Sequence, residues 1–193
     1  ILRQRVDYDD AFQVSAAGGL VYFGSSSDHA VRALDAATGE ERWRFDTGGP
    51  VRCAPVWWEG RVLFGSDDGH VYCLKAADGA EVWRLRGGPR DERLLGAGRM
   101  ISRWPIRTGV LVADGIAHFG AGLFPHEEVF VRAVQAADGS PVWTNDTISD
   151  RDADRGEFSP QGYLLADADR LFAPSGRALP VAFDLTMAPM VFA

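Results

Sequence analysis

Arg103, Trp104 and Arg107 carry residue types and spacing suited to holding a ligand. A planar cation beside an exposed indole can recognise a carboxylate, a sugar face or a peptide. The competing role is structural, with Trp104 plugging a gap between repeats while the two arginines bond loop carbonyls. His126, Glu127, Asn145 and Gln161 complete the candidate ligand-binding set, because they lie where the chain departs from its regular spacing. No catalytic residue and no metal ligand is assigned. The chain holds no G-x-S-x-G, S-x-x-K or H-E-x-x-H string. Leu95–Arg99, LGAGR, contains G-x-G without a third glycine or a surrounding βαβ pattern, which excludes a dinucleotide site.

The remaining titratable residues read as structural. Asp150, Asp152 and Asp154 alternate as in a calcium loop, but Arg155 stands where such a loop places glycine, and Gln161 stands at the usual glutamate. A solvated polar loop is the default there. His70 and His118 sit on apolar strands as satisfied core or interface imidazoles, and His126, beside Glu127 and Glu128, is exposed. Cys53 and Cys73 fall on the first and third strands of one sheet. Non-neighbouring strands stand about 10 Å apart, too far for a disulfide, so two buried free thiols are expected.

Those residues need a scaffold, and a repeat supplies it. LDAATGEERW (Leu34–Trp43) returns as LKAADGAEVW (Leu74–Trp83) and as VQAADGSPVW (Val134–Trp143). The glycines are Gly39, Gly79 and Gly139, and the tryptophans are Trp43, Trp83 and Trp143. Phe183 onward holds a worn copy, with Ala188 at the glycine position and Phe192 at the tryptophan position. Asp or Thr before glycine makes a hairpin turn, because its side chain bonds nearby backbone while glycine accepts positive φ. A tryptophan at one fixed place per repeat can pack on the next repeat, since one small sheet cannot bury its own faces.

Apolar runs ending near glycine precede each turn: LVYFG (Leu20–Gly24), VLFG (Val62–Gly65), IAHFG (Ile116–Gly120) and the looser RLFA (Arg170–Ala173). Four short antiparallel strands per repeat is the composition of a propeller blade. The expected fold is all-β, with blades at about 11–46, 51–86 and 106–145 and a partial blade at 160–193. Insertions fill 87–105 and 146–159. Three full blades and one partial blade are expected to form an arc of a larger propeller rather than a closed ring.

Composition narrows the function. The chain has 193 residues, room for one large all-β domain or two small ones, and a formal net charge of −7 with the signs interspersed. That argues against a nucleic-acid groove. No apolar run approaches the ~18 residues of a membrane span. The first residue is Ile rather than Met, so an excised or processed segment is expected.

The Gly-ended strand, the AADG turn and the following tryptophan resemble the pyrroloquinoline quinone (PQQ)-like β-propeller repeat, including its tryptophan-docking position. SRWPIRTG (Ser102–Gly109), GLFP (Gly122–Pro125) and SPQGYLL (Ser159–Leu165) are similar to a bacterial subgroup of PQQ-binding-like repeat proteins. The resemblance implies a periplasmic or extracellular location. It does not carry the cofactor: family dehydrogenases hold PQQ beside a vicinal Cys-Cys pair with calcium, and no such pair or haem-type C-x-x-C-H occurs here. No cofactor is expected, with PQQ and calcium as the alternatives. The expected role is a non-catalytic module presenting loops to a protein, peptide or glycan, with the remaining blades or a second copy meeting its terminal blade. The alternative is part of a quinone-dependent dehydrogenase whose catalytic residues lie outside this segment.

Overall fold

The AADG strings set the architecture of this computed structural model, which describes Asp9 and residues 13–96, 98–148, 158–176 and 178–185. Three four-stranded antiparallel sheets follow one another. The first comprises β1 (Val14–Ala17), β2 (Leu20–Ser25), β3 (Ala30–Asp35) and β4 (Glu41–Asp46). The second comprises β5 (Val56–Trp58), β6 (Arg61–Gly65), β7 (His70–Lys75) and β8 (Glu81–Arg86). Next comes a hairpin, β9 (Arg93–Gly96) and β10 (Arg99–Ser102). The third sheet holds β11 (Leu111–Ala113), β12 (Ile116–Ala121), β13 (Phe130–Gln135) and β14 (Pro141–Asn145). A three-stranded sheet follows: β15 (Leu165–Ala166), β16 (Arg170–Ala173) and β17 (Val181–Asp184). Strands pair in sequence order within every sheet, and successive first strands also meet, β1 with β5 and β5 with β11. This is a propeller arrangement: blades share an axis along their first strands.

The turn chemistry is the same three times over. Gly39, Gly79 and Gly139 take φ of 76°, 72° and 75°, and each N–H donates to the last carbonyl of the preceding strand, at Asp35, Lys75 and Gln135. Asp78 and Asp138 accept the backbone N–H two residues on, at 3.0 and 2.8 Å, and Thr38 Oγ1 does so at 3.2 Å. A register shift one step inside each hairpin sets the outgoing strand, between Ala33 and Leu34, Cys73 and Leu74, and Ala133 and Val134.

Each tryptophan then reaches the following sheet. Trp43 Nε1 donates to the Ala76 carbonyl at 2.9 Å, and Trp83 Nε1 to the Ala136 carbonyl at 3.1 Å. A Cβ at Gly79 would stand 2.8 Å from the Trp43 ring, and one at Gly139 would stand 2.9 Å from Trp83. The turn glycine therefore serves twice, once for positive φ and once as the bare surface on which an indole lies. Between the sheets sit Tyr22, Val31, Phe64 and Leu74 on one side, and Leu63, Val71, Phe119 and Val134 on the other. Trp143 packs with Leu171 and Phe183 of the last sheet but is only half-buried, and its Nε1 has no hydrogen-bond partner among the described residues.

Two expectations need correction. Cys53 lies in the connector before β5 rather than on a first strand, and is half-buried; Cys73 is buried on β7, and both thiols are free. Part of the stretch 87–105 is not a loop, since β9 and β10 form a regular hairpin around the left-handed Gly98. Among the described residues no helix is long and apolar enough to cross a membrane.

Candidate functional site

The two ends of the sheets differ in chemistry. At one end the first and last turns of each sheet lock together through identical bonds, Ala36 N–H to Gly19 O, Ala76 N–H to Gly60 O and Ala136 N–H to Gly115 O. At the other end the middle turns meet the connectors between sheets: Thr47 N–H to His29 O, Asp67 N–H to Pro50 O, and Gly87 N–H to Gly69 O, each at 2.8 Å. The insertions emerge at this connector end.

The candidate residues gather here, in roles the sequence did not specify. Trp104 is 1% exposed among residues of the second and third sheets, so it plugs the gap between repeats rather than offering an indole to a ligand. Its Nε1 donates to the Glu127 carbonyl at 3.1 Å, pinning the 3-10 turn Pro125–Glu127. Gly88 provides the space, since a Cβ there would come within 2.5 Å of the ring. Arg103 bonds Glu92 at 2.9 Å and stands 3.5 Å from Glu127, and its guanidinium lies 5.6 Å from the Trp104 ring centroid. The arginine thus pairs carboxylates rather than loop carbonyls. His126 is exposed, its ring near Phe124. Gly122 N–H meets the Pro105 carbonyl, and Ser159 Oγ donates to the Leu123 carbonyl at 2.8 Å while accepting from Gln161 Nε2 at 2.8 Å. The stretches 102–107, 122–128 and 158–161 are therefore neighbours. Asn145 is buried at the end of β14, where its Oδ1 accepts from the Thr147 N–H, a local turn bond. The alternating acids Asp150, Asp152 and Asp154 lie outside the described residues.

Arg107 turns away from Trp104 to a residue the sequence reading missed. Asp67, fully buried at the β6–β7 turn, accepts Arg107 Nε at 3.1 Å and Nη2 at 3.0 Å, and Arg52 Nε at 2.9 Å. One carboxylate thus ties two connectors and a turn. An acid in S-D-D-G reads as a turn former, and only the third dimension brings Arg52 and Arg107 to it. Asp67→Ala should cost roughly 2 kcal/mol, the scale for unpairing charge-assisted bonds whose cations can partly rehydrate. Urea denaturation checks this, and Arg107→Lys should recover little, because an ammonium cannot form the two-pronged contact.

The other groups at this end are equally engaged. Burial raises the Asp68 carboxyl, but the His70 imidazole, the Tyr72 hydroxyl at 2.7 Å and backbone N–H groups outweigh it and hold it below the usual range. Burial and Asp67 push the Cys53 thiol up to about 11, and burial pushes Cys73 up to about 11. Neither is a thiolate near neutral pH. Tyr163, from the fourth unit, accepts the Ala54 N–H at its hydroxyl at 2.8 Å and lies against Gly109.

Among the groups that face water at this end is an apolar pair. Leu95 and Met100 are cross-strand partners on β9 and β10, 74% and 53% exposed. Ile101 on the opposite face is buried, and Arg99 fastens the hairpin tip to the Ser26 carbonyl and His29 Nε2 of the first sheet. Phe124 is also exposed.

The family model described as outer membrane protein assembly factor BamB, a PQQ-type repeat, matches residues 9–185. This chain belongs to that family of PQQ-like β-propellers. A quinone alcohol dehydrogenase subunit from Acetobacter aceti is 25% identical over 170 residues, 81% of this propeller chain and 22% of the relative. The outer membrane protein assembly factor BamB of Yersinia pestis is 29% identical over 130 residues, 67% of this chain and 29% of the relative. Among solved structures, the quinohemoprotein alcohol dehydrogenase of Comamonas testosteroni superposes with a TM-score of 0.74 at 17% identity, covering 93% of this chain and 34% of that one. That likeness shows the fold alone. The chain spans about a fifth of the quinone dehydrogenase subunits it matches, 22% and 18% of the first two.

The described residues of this PQQ-like propeller do not fit the quinone its family name carries. Its cysteines stand on a connector and on β7 rather than side by side, and the repeat tryptophans Trp43 and Trp83 are covered by neighbouring turns. The buried carboxylate Asp67 is taken by two guanidiniums. No cluster of three or more His, Cys, Asp or Glu suited to a metal occurs among the described residues.

Proposed function

We propose that this chain is a non-catalytic propeller module that presents the connector end of its blades to a protein or peptide partner, outside the cytoplasm. The observation that carries this reading is the β9–β10 hairpin. It is fastened down by Arg99 and Ile101 and turns Leu95 and Met100 into solvent. Exposed aliphatic pairs on a rigid platform mark interaction sites. The charged groups around it are engaged with one another, which suits a scaffold rather than acid–base chemistry. The kinship with an outer membrane protein assembly factor supports both the partner class and the periplasmic location. The exposed pair is aliphatic, which suits a protein or peptide better than a glycan. The candidate residues act in this reading as supports: Arg103, Trp104, Glu127 and Gln161 hold the loops, and His126 lies at the rim.

The test uses a photoreactive side chain at position 93, exposed beside Leu95 on β9, in the periplasm of the source cell. Crosslinking to a protein is expected. The double variant Leu95→Asp, Met100→Asp should keep the fold and cut recovery of that product roughly tenfold, the effect of losing central apolar contacts. The second reading, part of a quinone-dependent dehydrogenase, is favoured by the quinone alcohol dehydrogenase relatives. A protein-bound quinone absorbance after adding PQQ and calcium, with no crosslink, would replace the first reading by the second.

A further inference from the structure

The β9–β10 hairpin is a sheet of two strands, and its two edges meet different surroundings. The register runs from Gly96 opposite Arg99 to Arg93 opposite Ser102 without a shift. In an antiparallel ladder, bonded pairs alternate with pairs whose backbone groups point outward. Arg103 N–H donates to the Glu92 carbonyl at 2.8 Å, which makes that pair a bonded one. Counting from it, the pairs Arg93 with Ser102 and Leu95 with Met100 point outward. Ser102 agrees with the count, since its N–H leaves the ladder for the Asp67 carbonyl at 2.8 Å. The β10 edge is therefore turned to the body of the protein. The β9 edge lies on the opposite side, and the backbone N–H and C=O of Arg93 and Leu95 make no hydrogen bond among the described residues. Other outer edges are blunted by exposed charges of both signs, Glu41, Arg42 and Arg44 on β4, and Glu81 and Arg84 on β8. On β9 the only charge is Arg93.

We infer that β9 is an acceptor strand: an extended segment of the protein partner pairs antiparallel with it, setting an aliphatic side chain opposite Leu95 and a carboxylate opposite Arg93. The inference rests on the reading of this end as a docking platform and adds how the partner is held. Arg93 and Leu95 together offer two outward donors and two outward acceptors, which is what one added strand uses. Their side chains share the exposed face of the hairpin, and Ile101, on the other face, is 3% exposed. An added strand thus meets Leu95 and Arg93 at alternate positions on one side. Charge selects the acid. Residues 86–103 hold five arginines and two acids, in a chain of net charge −7. Asp91 and Glu92 are shared among Arg86, Arg90, Arg93 and Arg103. Arg93 has the loosest share with Arg86, 3.8 Å from Asp91, and its side chain is 52% exposed. An incoming carboxylate therefore finds surplus guanidinium here and a net negative surface elsewhere. The strand waits in its bound shape, because Ile101 and the Arg99 bonds already fix the hairpin.

The test adds to the full chain a blocked peptide, Thr-Val-Thr-Leu-Thr-Glu-Thr-Glu-Thr, whose antiparallel pairing sets leucine opposite Leu95 and glutamate opposite Arg93. At millimolar peptide, amide exchange of Arg93 and Leu95 should slow about fivefold or more, the scale of one hydrogen bond gained. Met100, whose N–H points outward on the other edge, should be unchanged. The same peptide with lysine for both glutamates should bind several-fold more weakly. Arg93→Pro and Arg93→Ala both remove the guanidinium, but only proline removes the outward N–H, and it breaks no bond inside the hairpin. Arg93→Pro should therefore bind the peptide about fivefold more weakly than Arg93→Ala, with circular dichroism unchanged in both. Equal binding by the two variants overturns strand addition. So does a peptide that perturbs the Leu95 and Met100 side chains while the Arg93 and Leu95 amides exchange as before. Either result leaves the docking reading standing if the side chain at position 93 still captures a protein in the cell, and that reading fails separately, by absence of the captured product.

Discussion

Trp83→Ala is expected to lower the free energy of unfolding by about 3–5 kcal/mol, the range for removing a large aromatic from a core. The ring fills the space between the second and third sheets with Leu63, Cys73 and Phe119, and is 9% exposed. Its loss also removes the Nε1–H bond to the Ala136 carbonyl at 3.1 Å, leaving that oxygen the longer Arg61 Nη1 contact at 3.4 Å, and uncovers Gly139. Trp83→Phe separates the two contributions: the ring stays, the bond goes, and about 1 kcal/mol should be lost. Trp143→Ala should cost less, because that indole is half-buried and makes no hydrogen bond. Urea unfolding followed by circular dichroism checks the ranking. A Trp83→Ala protein as stable as the parent would show that the repeat tryptophan does not hold successive sheets together.

The repeat unit was legible because its determinants are local. A glycine at positive φ, an Asp or Thr bonding two residues ahead, and alternating apolar strands all lie within ten residues of one another. The tryptophan spacing even told that the indole meets a neighbouring repeat. It could not tell that the indole lands on the next turn glycine, because that contact joins Trp43 to Gly79 across 36 positions and Trp83 to Gly139 across 56. The connector end was less legible for the same reason. Departure from repeat length drew attention to 102–107 and 122–128. Trp104 fits both a ligand-facing indole and a plug between repeats in sequence, because the contact that decides for the plug, to Glu127, stands 23 positions away. Arg107 groups with its neighbour Arg103 in sequence, while its carboxylate is Asp67, 40 positions back. The β9–β10 hairpin escaped because Arg93–Ser102, RLLGAGRMIS, has two apolar pairs separated by Gly-Ala-Gly-Arg, a pattern that fits a loop equally well.

His118 gives the sharpest dependence on pH. It stands on β12, 1% exposed, at the repeat position that Leu63 fills in the second sheet, and its ring lies 5.8 Å from Trp143. Its Nδ1 has no hydrogen-bond partner. Burial pushes the imidazole down to about 4 from an ordinary 6.5. The sign follows: between those values the unfolded chain binds a proton that the folded chain refuses, so stability rises with pH through that window. The contribution is complete above pH 6.5 and withdrawn as pH falls toward 4. A displacement of that size corresponds to roughly 3 kcal/mol, and His118 is too buried for solvent to screen it. His29, also held down by burial and by Arg99, acts in the same direction, whereas Asp68 adds its own loss only lower, as its carboxylate is protonated. His118 is isolated by comparing the parent with His118→Leu, which restores the residue type of the second sheet at that position. The parent should lose stability steeply between pH 6.5 and 4, and the variant should be flatter by about 3 kcal/mol over the same range. Loosening should appear first between the third and last sheets, as faster amide exchange in β16 and β17 at pH 4.5. If parent and variant trace parallel stability curves, the buried imidazole is not what makes this propeller acid-sensitive.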